Sequence, residues 1–152
     1  MDVSYINPFI TATTHAFKTM MNTEVHQGSP QLKKMPFPMY DVSGVIGLSG
    51  DAQGSVSLSF PMNVATKVVS KMLGTPIIEN SDDMIDGIGE LTNIVAGNAK
   101  GGLTQFKLSI SLPNVIIGKD HIITEQRGCP TILLPFSSSL GAFAMEISLK
   151  TP

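Results

Sequence analysis

The stretch SVSLSF at residues 55–60 alternates strictly, with Val56, Leu58 and Phe60 on one side and Ser55, Ser57 and Ser59 on the other. Side chains of an extended chain point to opposite faces with a period of two, so this pattern predicts a strand with one apolar face and excludes an amphipathic helix. Upstream, VSGVIGLSG and the Gly50-Asp51 turn make the pair a β-hairpin. Short strands are also expected in KLSISLP, VIIGKD, HIITEQR and TILLPF. In AFAMEISL, Phe143, Met145, Ile147 and Leu149 share one face.

Elsewhere the period becomes helical. From Val3 to Met21, Ile6, Phe9, Ile10, Ala16, Phe17 and Met20 recur at helix spacing, Thr13 is the polar interruption, and Asn7-Pro8 suits a helix start. His15 falls on this helix and is expected at its surface or half buried. The segment from His26 to Met39 holds Gly28, Pro30, Pro36 and Pro38 and is expected as loop or irregular edge. Asn63 to Leu73 predicts a short helix with Gly74 as its stop. Ser81, followed by Asp82 and Asp83, predicts the start of a central helix. That helix should run about 25 residues, or nearly 40 Å, to the region between Gly101 and Lys107, unless the paired Gly101-Gly102 ends or bends it earlier. Strands that follow one another without intervening helices imply an α+β fold, mainly an antiparallel sheet with long helices packed on one face. The 152 residues fit a single domain spanning 1–152.

Composition narrows the function. The formal net charge is −2, and Lys33-Lys34 is the one adjacent basic pair, so nucleic acid and acidic membrane are poor partners and another protein is favoured. The single Cys129 excludes an intrachain disulfide, and with three scattered histidines it makes no structural zinc site, so no metal ligands are assigned. Between Gly128 and Pro130, Cys129 is expected as a small residue at a strand entry. The start MDVSYINPFI lacks a secretory signal, and no apolar run approaches the roughly eighteen residues of a membrane span. A soluble, cytoplasmic protein is expected. The nine methionines sit mostly at apolar-periodic positions and read as core filling.

The central helix carries the chemistry. Asp86, Glu90 and Asn93 stand four and three residues apart in DGIGELTNIVAGNAKGG (86–102). At about 100° per residue, Asp86, Gly89, Glu90, Asn93, Gly97, Lys100 and Gly101 share roughly a third of the circumference. Met84, Ile88, Leu91, Val95 and Ala99 take the opposite arc, and Asn98 lies toward it as a core-edge residue. Five glycines, Gly87, Gly89, Gly97, Gly101 and Gly102, each cost on the order of 1 kcal/mol against alanine. In one reading they clear room beside Glu90 and Asn93 for a docking partner. In the other they pack within the fold, with Glu90 solvated and Asn93 bonded locally, and spacing alone favours this second reading. There is no phosphate-cradling loop, nucleophile elbow or paired histidine motif. A carboxamide both donates and accepts, so Asn93 can orient a water, and Glu90 can anchor a cation on whatever brings the electrophile. Those two groups make half of an active site.

The stretch 86–102 closely resembles the signature of the chemotaxis phosphatases of the CheC/CheX/FliY family, in which Asp or Ser precedes Glu by four positions and Asn follows by three. The matching residues are Asp86, Glu90 and Asn93. The resemblance extends through INPFITATTHAFKTM, DVSGVIGLSGDAQGSVSLSF, KVVSKMLG, LSISLPNVIIGKDH and the closing strand, nearly the whole chain. One copy of the motif, where CheC-type members commonly carry two, favours the CheX branch. The resemblance implies a CheC-like fold and hydrolysis of the aspartyl phosphate on a CheY-like response regulator. Glu90 would dock to the regulator's lysine and Asn93 would position the attacking water. Mg²⁺ is expected on the regulator, with no cofactor bound by this chain. Asp86, Gly89, Gly97 and Lys100 would be partner-binding residues, Asp86 in a secondary role and Lys100 toward acidic residues of the regulator. A homodimer with joined sheets is also implied. The alternative is a non-catalytic regulator-binding or flagellar-switch-like interaction module.

Overall fold

The computed structural model of the chain describes residues 3–35, 38–118 and 129–152. A 3-10 turn at Val3–Tyr5 leads into helix α1 (Asn7–Met21) and two short strands, β1 (Val25–Gln27) and β2 (Gln31–Leu32). The hairpin β3 (Val42–Gly50) and β4 (Gln53–Phe60) precedes helices α2 (Met62–Leu73) and α3 (Asp82–Gly102). Strands β5 (Leu108–Ile110), β6 (Asn114–Ile117), β7 (Thr131–Ser138) and β8 (Phe143–Lys150) follow. All pairings among these strands are antiparallel, in the order β1-β7-β8-β4-β3-β5, with β2 also on β7 and β6 also on β3. This is the expected α+β class. The strand expected in HIITEQR, including His121, lies outside the described residues.

Local signals explain where the helices begin and stop. The Ser81 hydroxyl accepts from the Met84 amide at 3.2 Å, capping α3, and Asp82 and Asp83 complement the positive end. Gly74, at φ 71°, closes α2 in the left-handed region. Helix α3 ends at the paired glycines after 21 residues, roughly 31 Å, rather than reaching Lys107. The region expected as loop or irregular edge nonetheless pairs where it is described: β1 and β2 are strands of three and two residues on β7.

The period-two faces meet the helical stripes in one core. Val56, Leu58 and Phe60 of β4 and Phe143, Met145 and Ile147 of β8 are buried beneath the helices. The Phe143 ring stacks with Phe17 of α1 at 4.7 Å, with Phe136 of β7 at 5.1 Å and with Phe60 of β4 at 5.3 Å. These contacts tie one helix to three strands. The serine face departs from a simple solvated surface, since Ser57 and Ser59 are buried as well. The chain after β2 lies over this second face and brings the Lys33 ammonium within 2.9 Å of the Glu146 carboxylate, both side chains nearly inaccessible. Ser57 donates to the other Glu146 oxygen at 3.3 Å. A one-sided alternation therefore did not mean one-sided burial.

Candidate functional site

Helix α3 lies across β3 and is held from several sides. Over β3 it approaches at Gly44, where an added Cβ would collide with the Thr92 hydroxyl and stand 3.3 Å from Ile88 Cγ2. Thr92 is buried, its hydroxyl donating to the Ile88 carbonyl at 2.7 Å, so the residue beside Asn93 is fixed against the sheet. On the α2 side, an added Cβ at Gly87 would fall 2.5 and 2.7 Å from the two methyls of Val69. At the far end, one at Gly102 would stand 3.0 Å from Pro8 of α1. These two glycines are consumed by packing of the fold itself.

The outward arc divides differently. Asp86, Glu90 and Lys100 are exposed, while Asn93 and Gly97 are half-buried on the same stripe. Gly89 is buried, and the chain's own Pro113 and Val115 each stand 3.6 Å from where a Cβ would be, in ordinary contact. Gly97 and Gly101 remain open. The nearest atom to a Cβ at Gly97 is Ile110 Cδ1 at 4.0 Å, and at Gly101 nothing lies within 4 Å. Asn98 also departs from expectation: it is exposed and lines a depression between α1 and α3 with His15 and Asn7.

Two depressions flank Asn93. One, of about 410 Å³, is walled by Asp86, Gly89 and Glu90 on α3 and by Pro113, Asn114 and Val115 on the β5–β6 connection. The other, of about 510 Å³, lies between Gly97, Lys100 and Gly101 of α3 and Phe106 and Lys107 of the chain leading to β5. The second wall of each was absent from the sequence reading, because the approach of β5 and β6 to α3 follows from their pairing with β3, a long-range event without a local signal.

Among the described residues, no hydrogen bond or ion pair of the chain holds the carboxylate of the exposed Glu90 or the carboxamide of the half-buried Asn93. The local satisfaction of Asn93 weighed from sequence is not what is seen. Also among the described residues, no group of three or more His, Cys, Asp or Glu is placed to hold a metal ion, and no helix is long and apolar enough to cross a membrane. Cys129 is buried at the entry to β7, its sulfur accepting from the Ser148 hydroxyl at 3.1 Å.

An all-antiparallel sheet under three helices, with one acid-and-carboxamide face left open on the longest, places the chain in the CheC-like class of α+β folds. A CheC-like superfamily protein from Shewanella sp. PV-4 is 37% identical, with 99% of each chain covered and a TM-score of 0.89. The family model described as chemotaxis phosphatase CheX matches residues 42–137, and the chain belongs to that family. The CheY-P phosphatase CheX of Thermotoga maritima is 29% identical over 123 residues, 79% of either chain. The CheX of Borrelia burgdorferi, solved as a CheX–CheY–BeF₃–Mg²⁺ complex, is 26% identical, covering 96% of this chain and 97% of that one, with a TM-score of 0.80.

Proposed function

We propose that this chain is a phosphatase acting on the aspartyl phosphate of a CheY-like response regulator, completing an active site of which the regulator supplies the other half. The observation that carries the reading is the pair Glu90 and Asn93, held on a rigid helix beside open depressions and without partners of their own among the described residues. Membership of the chemotaxis phosphatase family supports it, as does the Borrelia relative captured with CheY.

Glu90 pairs with the lysine of the regulator's site and so fixes the two proteins in register. Asn93 enters the acidic pocket, where its carboxamide oxygen accepts from a water and its NH₂ steadies the phosphoryl side. The water oxygen attacks phosphorus in line with the acyl oxygen. The phosphorus–oxygen bond to the aspartyl carboxylate breaks, releasing inorganic phosphate, and the water's protons pass to phosphate and solvent. Mg²⁺ held by the regulator neutralises charge on the phosphoryl oxygens. Everything this chain contributes is orientation, and a well-placed water is worth about two to three powers of ten in rate.

The test is phosphate release from a phosphorylated CheY-like regulator in excess Mg²⁺. Wild-type protein accelerates it. Asn93→Ala loses about a hundredfold or more in turnover while still binding the regulator, and Glu90→Ala loses affinity. A variant lacking Asn93 that matches wild type would instead favour the non-catalytic binding module. Within the same reading, the protein works in the cytoplasm as one domain and pairs with a second copy through a sheet edge, which sedimentation of the purified protein tests.

A further inference from the structure

A helix stripe alone does not say which way round a partner lies on it. The two depressions beside Asn93 differ in charge. The one toward the start of α3 carries Asp86 and Glu90, and the one toward its end carries Lys100 and Lys107. Both lysines are exposed, and among the described residues neither is in an ion pair. Lys107 lies beyond the helix, yet it is not loosely placed. Its amide donates to the Asp51 carboxylate at 2.8 Å, and the Asp51 amide donates to the Lys107 carbonyl at 2.9 Å, clamping the approach to β5 onto the hairpin turn. Between the lysines, Gly97 and Gly101 leave the depression open.

We infer that Lys100 and Lys107 form a cationic dock for carboxylates of the regulator's receiver domain, and that the opposite charges at the two ends of the stripe fix the orientation in which the receiver binds. This rests on the phosphatase reading above and deepens it. With Glu90 committed to the receiver's lysine, ten residues of helix place Lys100 about 15 Å farther along the axis. A matching receiver must therefore carry acidic side chains about that distance from its lysine. Reversed binding would set the receiver's acidic groups against Asp86 and Glu90 and its lysine against two ammonium groups. Like-charge juxtaposition rejects that arrangement, as complementary potentials across an interface commonly do. Lys107 is thereby a specificity residue. It selects among regulators without touching the phosphoryl group.

The experiment measures kcat and KM for phosphate release with wild type, Lys107→Glu, the double variant Lys100→Glu/Lys107→Glu, and a control, Lys18→Glu, which makes the same charge change on the exposed last turn of α1. At about 0.01 M ionic strength, where screening extends to about 30 Å, the double variant raises KM about tenfold, equivalent to about 1.4 kcal/mol, with kcat unchanged and with a small drop in melting temperature of the kind Lys18→Glu also gives, since each reverses a cation in a helix's last turn. At about 0.15 M the screening length is about 8 Å and the difference shrinks. Lys18→Glu leaves KM at the wild-type value. A double variant with wild-type KM at low salt overturns the inference and leaves the phosphatase reading standing, as does a control that raises KM equally. If wild type accelerates hydrolysis of no regulator tested, both fall together.

Discussion

Replacing glycine by leucine at two positions of α3 is expected to move stability in opposite directions, and only one of the two reports on the docking face. At Gly97 the substitution removes a glycine deficit of about 0.8–1.0 kcal/mol in a helix interior and replaces it with a residue close to alanine in propensity. Outside the helix's own backbone and the adjoining residues, the nearest atom to the new Cβ is Ile110 Cδ1 at 4.0 Å, so the Cβ meets no clash. Gly97→Leu should be more stable by about 0.5–1 kcal/mol, or about 1–4 °C in melting temperature for a chain of this size. At Gly87 the backbone gain is the same, but the Cβ falls 2.5 and 2.7 Å from the methyls of Val69, which is fully buried. Overpacking of about 3 kcal/mol or more then leaves Gly87→Leu less stable by about 2 kcal/mol. Activity follows another logic. A leucine at Gly97 stands on the stripe one turn beyond Asn93, and holding the regulator off by about 1 Å costs up to about a hundredfold in rate. Thermal melts and phosphate release on the same preparations decide the matter. A Gly97→Leu protein with wild-type kcat/KM would refute the docking face, and one that melts below wild type would refute the claim that the position is open.

Two further substitutions probe what holds the site. Gly44→Ala should lift α3 from β3 at Thr92, lowering both melting temperature and turnover. Adding Thr92→Ala, which removes the colliding hydroxyl, should recover part of the loss, and strict additivity of the two would contradict the contact. Lys33→Met leaves the Glu146 carboxylate buried without its cation and should cost about 3–5 kcal/mol in denaturant unfolding. Lys33→Met/Glu146→Leu should recover most of that, and a double variant as unstable as the single one would remove the explanation.

Where the sequence was legible, the signal was local. Alternation in residues 55–60 and 143–149 marked strands, Ser81 and Gly74 marked helix ends, and the i, i+4, i+7 spacing of Asp86, Glu90 and Asn93 marked a shared face. Each depends on neighbours within a turn or a pleat. Whatever depended on distant segments was not legible. Gly89 looked as open as Gly97 because a helix wheel does not know that Pro113 will pack beside one and leave the other free. Ser57 looked solvated because Lys33, in a stretch low in periodicity, gave no sign that it would reach Glu146 beside it. The strands β1 and β2 are too short for any period to register, and they exist because β7 offers its edge.

The glycines of α3 thus fall into two groups that composition could not separate, and the division bears on how a half-site is kept precise. Gly87 and Gly102 lose helix propensity but let α2 and α1 come close, and Gly44 does the same from the sheet, so the helix is braced on three sides around Thr92. That bracing sets the Asn93 backbone position with no bond to the Asn93 side chain among the described residues, leaving the carboxamide free for a partner's water. Gly97 and Gly101 lose the same propensity with no packing in return, so the fold alone gives no reason to keep them. A site whose rate enhancement is orientation needs both conditions together: a backbone that does not shift and a surface another protein can reach. On the proposed function, the loss of helix propensity at the open pair is offset when the regulator binds. Stabilising substitutions at Gly97 and Gly101 should therefore be the ones that cost activity, whereas at Gly87 stability and activity should fall together.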